Sequence, residues 1–178
     1  MSGPLNALVK KIQVLDRTGP AGQRAILLSQ YPDFIGSFNF NRKTLFDSVI
    51  RKPVSVSLDS TTGVFDFRVP PLQPSVNFFP HPFYAYFRMV LTAAAVSDQV
   101  PYEDTKKGYR EKAPFLPQYV ALYTDWLQAN TIQPGMDYQI PPLTEQLPGA
   151  DMLLIAGGGV QYGALAADGS VQPAPYAG

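Results

Sequence analysis

From residue 23 onward, short apolar runs alternate with turn-forming residues, the pattern of a β domain rather than of a layered α/β fold. The clearest unit is a hairpin. Val54, Val56 and Leu58 alternate with Ser55 and Ser57, the chain reverses at Asp59-Ser60-Thr61-Thr62-Gly63, and Phe65, Phe67 and Val69 alternate with Asp66 and Arg68 on the return. One face of this hairpin is therefore predicted to be apolar and the other wet. Residues 25–30, 34–40 and 45–50 read as three further strands. Residues 83–96 form the longest and most apolar run, predicted to be a central strand buried on both faces. Residues 151–156 and 160–165 read as a second hairpin turning at Gly157-Gly158-Gly159.

Helical periodicity occurs in two places. Leu5, Leu8, Val9, Ile12 and Leu15 recur at steps of three and four behind Ser2 and Pro4, which predicts a short amphipathic helix, with an extended arm as the alternative. Residues 119–128 read as helix or strand, and the same spacing of Tyr119, Leu122, Tyr123, Trp126 and Leu127 favours a second short helix. Prolines 70, 71, 74, 80 and 82 mark a connection that cannot lie inside a sheet, because each removes a ladder donor. Prolines 134, 141, 142 and 148 mark another irregular connector, and residues 100–117 read as an exposed excursion. The expected architecture is mainly β: an antiparallel β-sandwich of Greek-key or jelly-roll type, with one or two short helices and extended terminal arms. Its expected divisions are an arm or helix over 1–22, the sandwich over 23–167 and a tail over 168–178.

Composition agrees with this outline. Of 178 residues, 46% are hydrophobic, enough for a sizeable core, while 18 prolines and 14 glycines demand frequent reversals. The absence of cysteine excludes disulfides, thiolate nucleophiles and zinc–thiolate sites. The start lacks the charged-then-apolar order of a signal peptide, and no apolar run approaches the roughly 20 residues that span a bilayer. A soluble protein, cytoplasmic or held within an assembled particle, and without membrane partners is the expectation.

Net charge is zero, but its distribution is polar along the chain. Residues 1–52 carry eight Lys/Arg against three Asp, residues 53–112 balance six against six, and residues 113–178 carry five acids and no Lys or Arg. Such ends can neutralise each other within one chain or between the start of one copy and the end of another.

Candidate chemistry is thin. His81, the sole histidine, lies between Pro80 and Pro82, and no Gly-x-Ser-x-Gly elbow supplies a nucleophile for it. Metal sites built on several histidines are excluded, and no Asp-x-Asp-x-Asp-Gly calcium loop is present. The glycine triplet lacks the Gly-Lys-Ser/Thr of a phosphate loop. Glu103, Glu111, Glu145 and the aspartates are the only material for a carboxylate pair. Eight cations spread over residues 10–52, with acids among them and no binding motif, argue against a nucleic-acid partner. No catalytic, metal or cofactor residue emerges, and the chain reads as a non-enzyme.

What the pattern favours is association. Between Met152 and Ala167 there is neither charge nor proline, so this ribbon lacks the residues that guard an exposed edge. The predicted role is a structural, self-assembling subunit of a filament, tube or shell that polymerises with copies of itself through its terminal arms and this apolar edge ribbon. The expected interface comprises Leu5, Leu8, Val9, Ile12, Met152, Leu154, Val160, Tyr162 and Leu165. The alternative is a carbohydrate- or ligand-binding module that uses Tyr119, Tyr123 and Trp126 as an aromatic surface.

Residues Gly36-Ser37-Phe38-Asn39-Phe40-Asn41, then Leu45-Phe46-Asp47-Ser48-Val49, the Thr62-Gly63 hairpin and Tyr86-Phe87-Arg88 before an alanine-rich strand carry a resemblance. Over about sixty residues they resemble a group of short, uncharacterised Bacteroidota proteins, which implies a lineage and not a mechanism. In architecture the pattern is similar to the β-sandwiches of viral and phage coat or fibre proteins.

Overall fold

A computed structural model describes residues 2–36, 38–41, 43–102, 108–112, 118–143 and 149–175. The chain is mainly β, with 40% of residues in strands, 16% in helices and antiparallel sheets. It divides into two compact units. The first comprises Met1–Phe40, Ala94–Tyr119 and Leu143–Ile155, the second Asn41–Ala93, Val120–Pro142 and Ala156–Gly178.

The first unit opens with helix α1, Ser2–Leu15, where the predicted stripe forms. Ile12 from that stripe is fully buried, so α1 belongs to a folded core and is not a detachable arm. Residues 25–30 do not form the expected strand. Ile26 makes one antiparallel bridge to Gln99, and the chain then curls into a 3₁₀ turn over Leu28–Gln30. The cause is Asp98, whose carboxylate accepts the Ser29 amide at 2.8 Å and the Ser29 hydroxyl at 2.7 Å, winding the backbone around a buried anion. In place of the strand expected over 34–40, Pro32–Gly36 forms helix α2, with proline at its first position and Asp33 in its first turn.

The second unit begins with another correction. Residues 45–50 give helix α3, Phe46–Val49, with the Ser48 hydroxyl donating back to the Leu45 carbonyl, and Ile50 alone makes a β-bridge, to Phe78. The predicted hairpin then forms: β1, Ser55–Leu58, pairs antiparallel with β2, Phe65–Val69, with Ser55 opposite Arg68 and Leu58 opposite Phe65. Asp59 shapes the reversal by accepting the Thr61 amide and the Thr62 hydroxyl, and Gly63 supplies the positive φ of 74°. Phe65, Phe67 and Val69 are buried, whereas Val56 and Leu58 of β1 remain exposed. The proline-rich link carries only isolated bridges, at Leu72 and Pro74.

Strand β3, Tyr86–Ser97, is the long central strand expected. Its burial alternates: Phe87, Met89, Leu91, Ala93 and Ala95 are sealed, while Arg88 and Val90 are half-buried and Thr92 is exposed. One face is therefore core and the other is not, instead of both being buried. The excursion that follows contains a small hairpin, β4 (Gln99–Pro101) on β5 (Tyr109–Glu111), with the rest of its connection outside the described residues.

Residues 119–128 are not helical. They form β6, Gln118–Tyr123, and β7, Leu127–Gln128, and β7 pairs antiparallel with β3. Between them Thr124 interrupts the strand, its amide donating to the Met89 carbonyl at 3.1 Å and its hydroxyl accepting the Met89 amide at 3.0 Å. This irregularity shifts the alternation by one residue, so Tyr123 and Trp126 meet the same side chain. A spacing of three then looks helical although the backbone is extended. The connector after Pro134 contains an unexpected strand, β8, Met136–Ile140, which pairs with β2 in a sheet ordered β1-β2-β8.

The largest departure concerns the glycine triplet. Instead of turning, residues Met152–Leu165 run as one 14-residue strand, β9, and none of Gly157, Gly158 and Gly159 has positive φ. The tail is held by its own chain: β10, Val171–Pro173, pairs antiparallel with the end of β9 around a turn built by Asp168, Gly169 and Ser170. These strands complete a sheet ordered β10-β9-β3-β6, with β7 also on β3.

Candidate functional site

Within the second unit, the non-core face of β3 presents Arg88. Its Nε donates to Gln161 Oε1 of β9 at 2.8 Å, and its Cζ lies 4.5 Å from the ring centres of both Tyr123 and Trp126. Three elements thus converge on one guanidinium: β3 supplies it, β9 orients it and the β6–β7 irregularity clamps it with aromatic surface. Such cation–π contacts are each worth about 0.5–2 kcal/mol. No described acid forms an ion pair with it, since the one salt bridge among the described residues joins Lys112 to Asp151 at 2.7 Å.

The glycines of β9 acquire a reason here. Side chains at alternate positions share a face, so residues 157, 159 and 163 lie on the side of Gln161. A Cβ on Gly163 would stand 2.7 Å from the Trp126 ring, so only glycine lets the indole lie across the strand. At Gly157 a Cβ would come within 3.3 Å of the Thr92 hydroxyl, whereas Gly159 opens onto free space. The outcome is a side-chain-poor stretch on the face of β9 that carries Gln161, the residue that orients Arg88.

The aromatic residues of the sequence prediction are thus partly united. Tyr123 and Trp126 flank Arg88, and Tyr123 is half exposed. Tyr119 is 82% exposed and belongs to the first unit. The residues expected at an assembly interface are dispersed. In the first unit Ile12 is core, Leu5 is exposed, and Leu8, Val9, Met152 and Leu154 are half-buried. In the second unit Val160 is half-buried and Leu165 is 61% exposed.

Tyr162 packs against its own chain. Its ring stacks on Tyr84 at 5.6 Å and lies 6.0 Å from His81. Burial pushes its phenol pKa up, which the neighbouring His81 backbone partly offsets, yet no group meets the hydroxyl in hydrogen-bond geometry. His81 itself sits in a turn, with Nδ1 accepting the Phe83 amide at 3.4 Å and Phe83 left 85% exposed. A shallow depression over β2 and β8, lined by Asp66, Arg68, Asp137 and Gln139, is the other surface feature of the second unit. Among the described residues no group of three His, Asp or Glu side chains could hold a metal, and no helix is long and apolar enough to cross a membrane.

Sequence reasoning missed Arg88 and Gln161. Arg88 appeared only in the Tyr86-Phe87-Arg88 motif before the alanine-rich strand, and Gln161 was not singled out. The available signal was that ribbon itself: one amide side chain among alternate glycines marks a face where something bulky lies flat. No protein-family model, curated protein or solved structure matches the chain.

Proposed function

We propose that this chain is a structural, self-assembling subunit of a filament, tube or shell, and that it acts through association rather than catalysis. The observation that carries this reading is the open edge of β9. Along residues 156–161, no described strand lies on the flank opposite β3, because β10 covers only residues 163–165. Unpaired backbone donors and acceptors on an uncharged, proline-free strand are a template for a further strand. Leu165, further along the same strand, and Phe83 of the same unit are exposed apolar residues. The copy-to-copy contact is accordingly assigned to strand addition at β9, while the tail stays on its own chain as β10.

Negative-stain microscopy of wild type and Gly159→Lys tests this. A Cβ at Gly159 meets nothing within 4 Å, so lysine is accommodated while placing a charge on the edge. Wild type should form extended or closed particles and the variant should not. Identical single particles from both would reject the reading.

The convergence of Tyr123 and Trp126 on Arg88 favours a second reading, a ligand-binding face on the second unit. Loss of ligand affinity in Trp126→Ala, with an unchanged assembly state, would select it over the first.

A further inference from the structure

We infer that the Arg88 face binds a sugar acid, with the guanidinium gripping the carboxylate of a uronic acid residue; this rests on the ligand-binding reading of that face. A guanidinium carries five N–H donors in one plane. Nε is committed to Gln161, and Cζ lies over the Tyr123 and Trp126 rings. Among the described residues the four Nη hydrogens meet no protein acceptor. Asp125, exposed in the same turn, makes no ion pair with them. An acceptor must therefore approach edge-on and offer two coplanar oxygens, which is carboxylate geometry.

The surroundings narrow the class. On the Gln161 face of β9, Gly159 carries no side chain and a Cβ there would meet nothing within 4 Å. Tyr123, 52% exposed, offers a ring 4.5 Å from the Arg88 Cζ. A flat strip bounded by an aromatic ring suits a pyranose lying on its face. Gln161 spends its carbonyl oxygen on Arg88 and keeps its amide N–H groups for hydroxyls, as no acceptor among the described residues takes them.

The chain carries its own reporter, since Trp126 is its single tryptophan and touches the guanidinium. Fluorescence of the full-length protein would be titrated with D-glucuronate, D-glucose, acetate and tetraglutamate. Arg88→Lys keeps the charge and removes the fork, and Gln161→Leu releases the guanidinium without touching it. Expected are a saturable change with glucuronate, affinity at least about tenfold weaker for glucose and acetate, and a similar loss for glucuronate in Arg88→Lys. Gln161→Leu should bind glucuronate more weakly while keeping wild-type circular dichroism, which covers a poorly folded Arg88→Lys. Equal affinity for glucose would overturn the carboxylate assignment and leave the binding face standing. Tighter binding of tetraglutamate or acetate would overturn the sugar. No saturable response to any ligand would overturn both.

Discussion

Asp16 and Arg88 are both charged side chains drawn into a unit's structure, and their surroundings treat them in opposite ways. In the first unit Asp16 is buried and closed: Oδ1 accepts the Thr18 amide at 2.9 Å and hydroxyl at 2.6 Å, and Oδ2 accepts the Ala25 amide at 2.6 Å. Nearby, the Tyr109 hydroxyl donates to the Arg24 carbonyl at 3.0 Å and accepts from Gln13, while the buried Arg24 Nε has no partner among the described residues. In the second unit Arg88 is oriented by one hydrogen bond and two rings and keeps its remaining donors. Where every donor and acceptor is matched, a charge serves folding; where orientation is complete but pairing is not, it is left for something outside the chain.

This contrast can be broken in order of expected effect. Asp16→Asn is isosteric, but it turns an amide N–H toward the Ala25 or Thr18 donors and should cost about 2–3 kcal/mol in urea unfolding. The Thr18 hydroxyl, then the Thr18 and Ala25 amides, hold the Asp16 pKa below its ordinary carboxylate value. A carboxylate with a depressed folded pKa contributes stability that is complete above the unfolded value and is lost as pH falls through the folded one. The gap between wild type and Asp16→Asn should therefore be full at pH 7 and close progressively below about pH 4.

Gly163→Ala comes next. The added methyl must displace both the Trp126 ring and Val171, at about 1–2 kcal/mol, and should shift Trp126 fluorescence toward that of Arg88→Lys. Tyr162→Phe removes a buried hydroxyl that lacks a partner and should raise stability by up to about 1 kcal/mol, visible as a higher Tm. Smallest is Lys112→Ala, which breaks an exposed ion pair and should change stability by less than about 0.5 kcal/mol.

How much of this was legible in the sequence depended on how local the cause was. The β1–β2 hairpin is written in Asp59 and Gly63, and α1 in its own stripe, so both were readable. Pro32 and Asp33 also wrote a helix start locally, and reading 34–40 as a strand overlooked them. Other features depend on distant partners. Residues 25–30 curl because Asp98, some seventy residues away, holds Ser29. The residue 119–126 spacing mimics a helix because Met89 captures Thr124 and shifts the strand by one position. Glycines 157–159 look like a turn to any local rule, yet they are extended because Thr92 lies against one and Leu91 and Phe46 against the next. The candidate site was half readable for the same reason: Tyr123 and Trp126 were marked by their type, while Arg88 and Gln161 gain meaning only from facing each other across two strands.

Sedimentation equilibrium on the wild-type protein tests the central claim of strand-edge association most directly. The account predicts a weight-average mass that climbs above the 19.5 kDa of one chain as concentration rises, and that stays at 19.5 kDa in Gly159→Lys. A wild-type mass fixed at 19.5 kDa up to the solubility limit would contradict it.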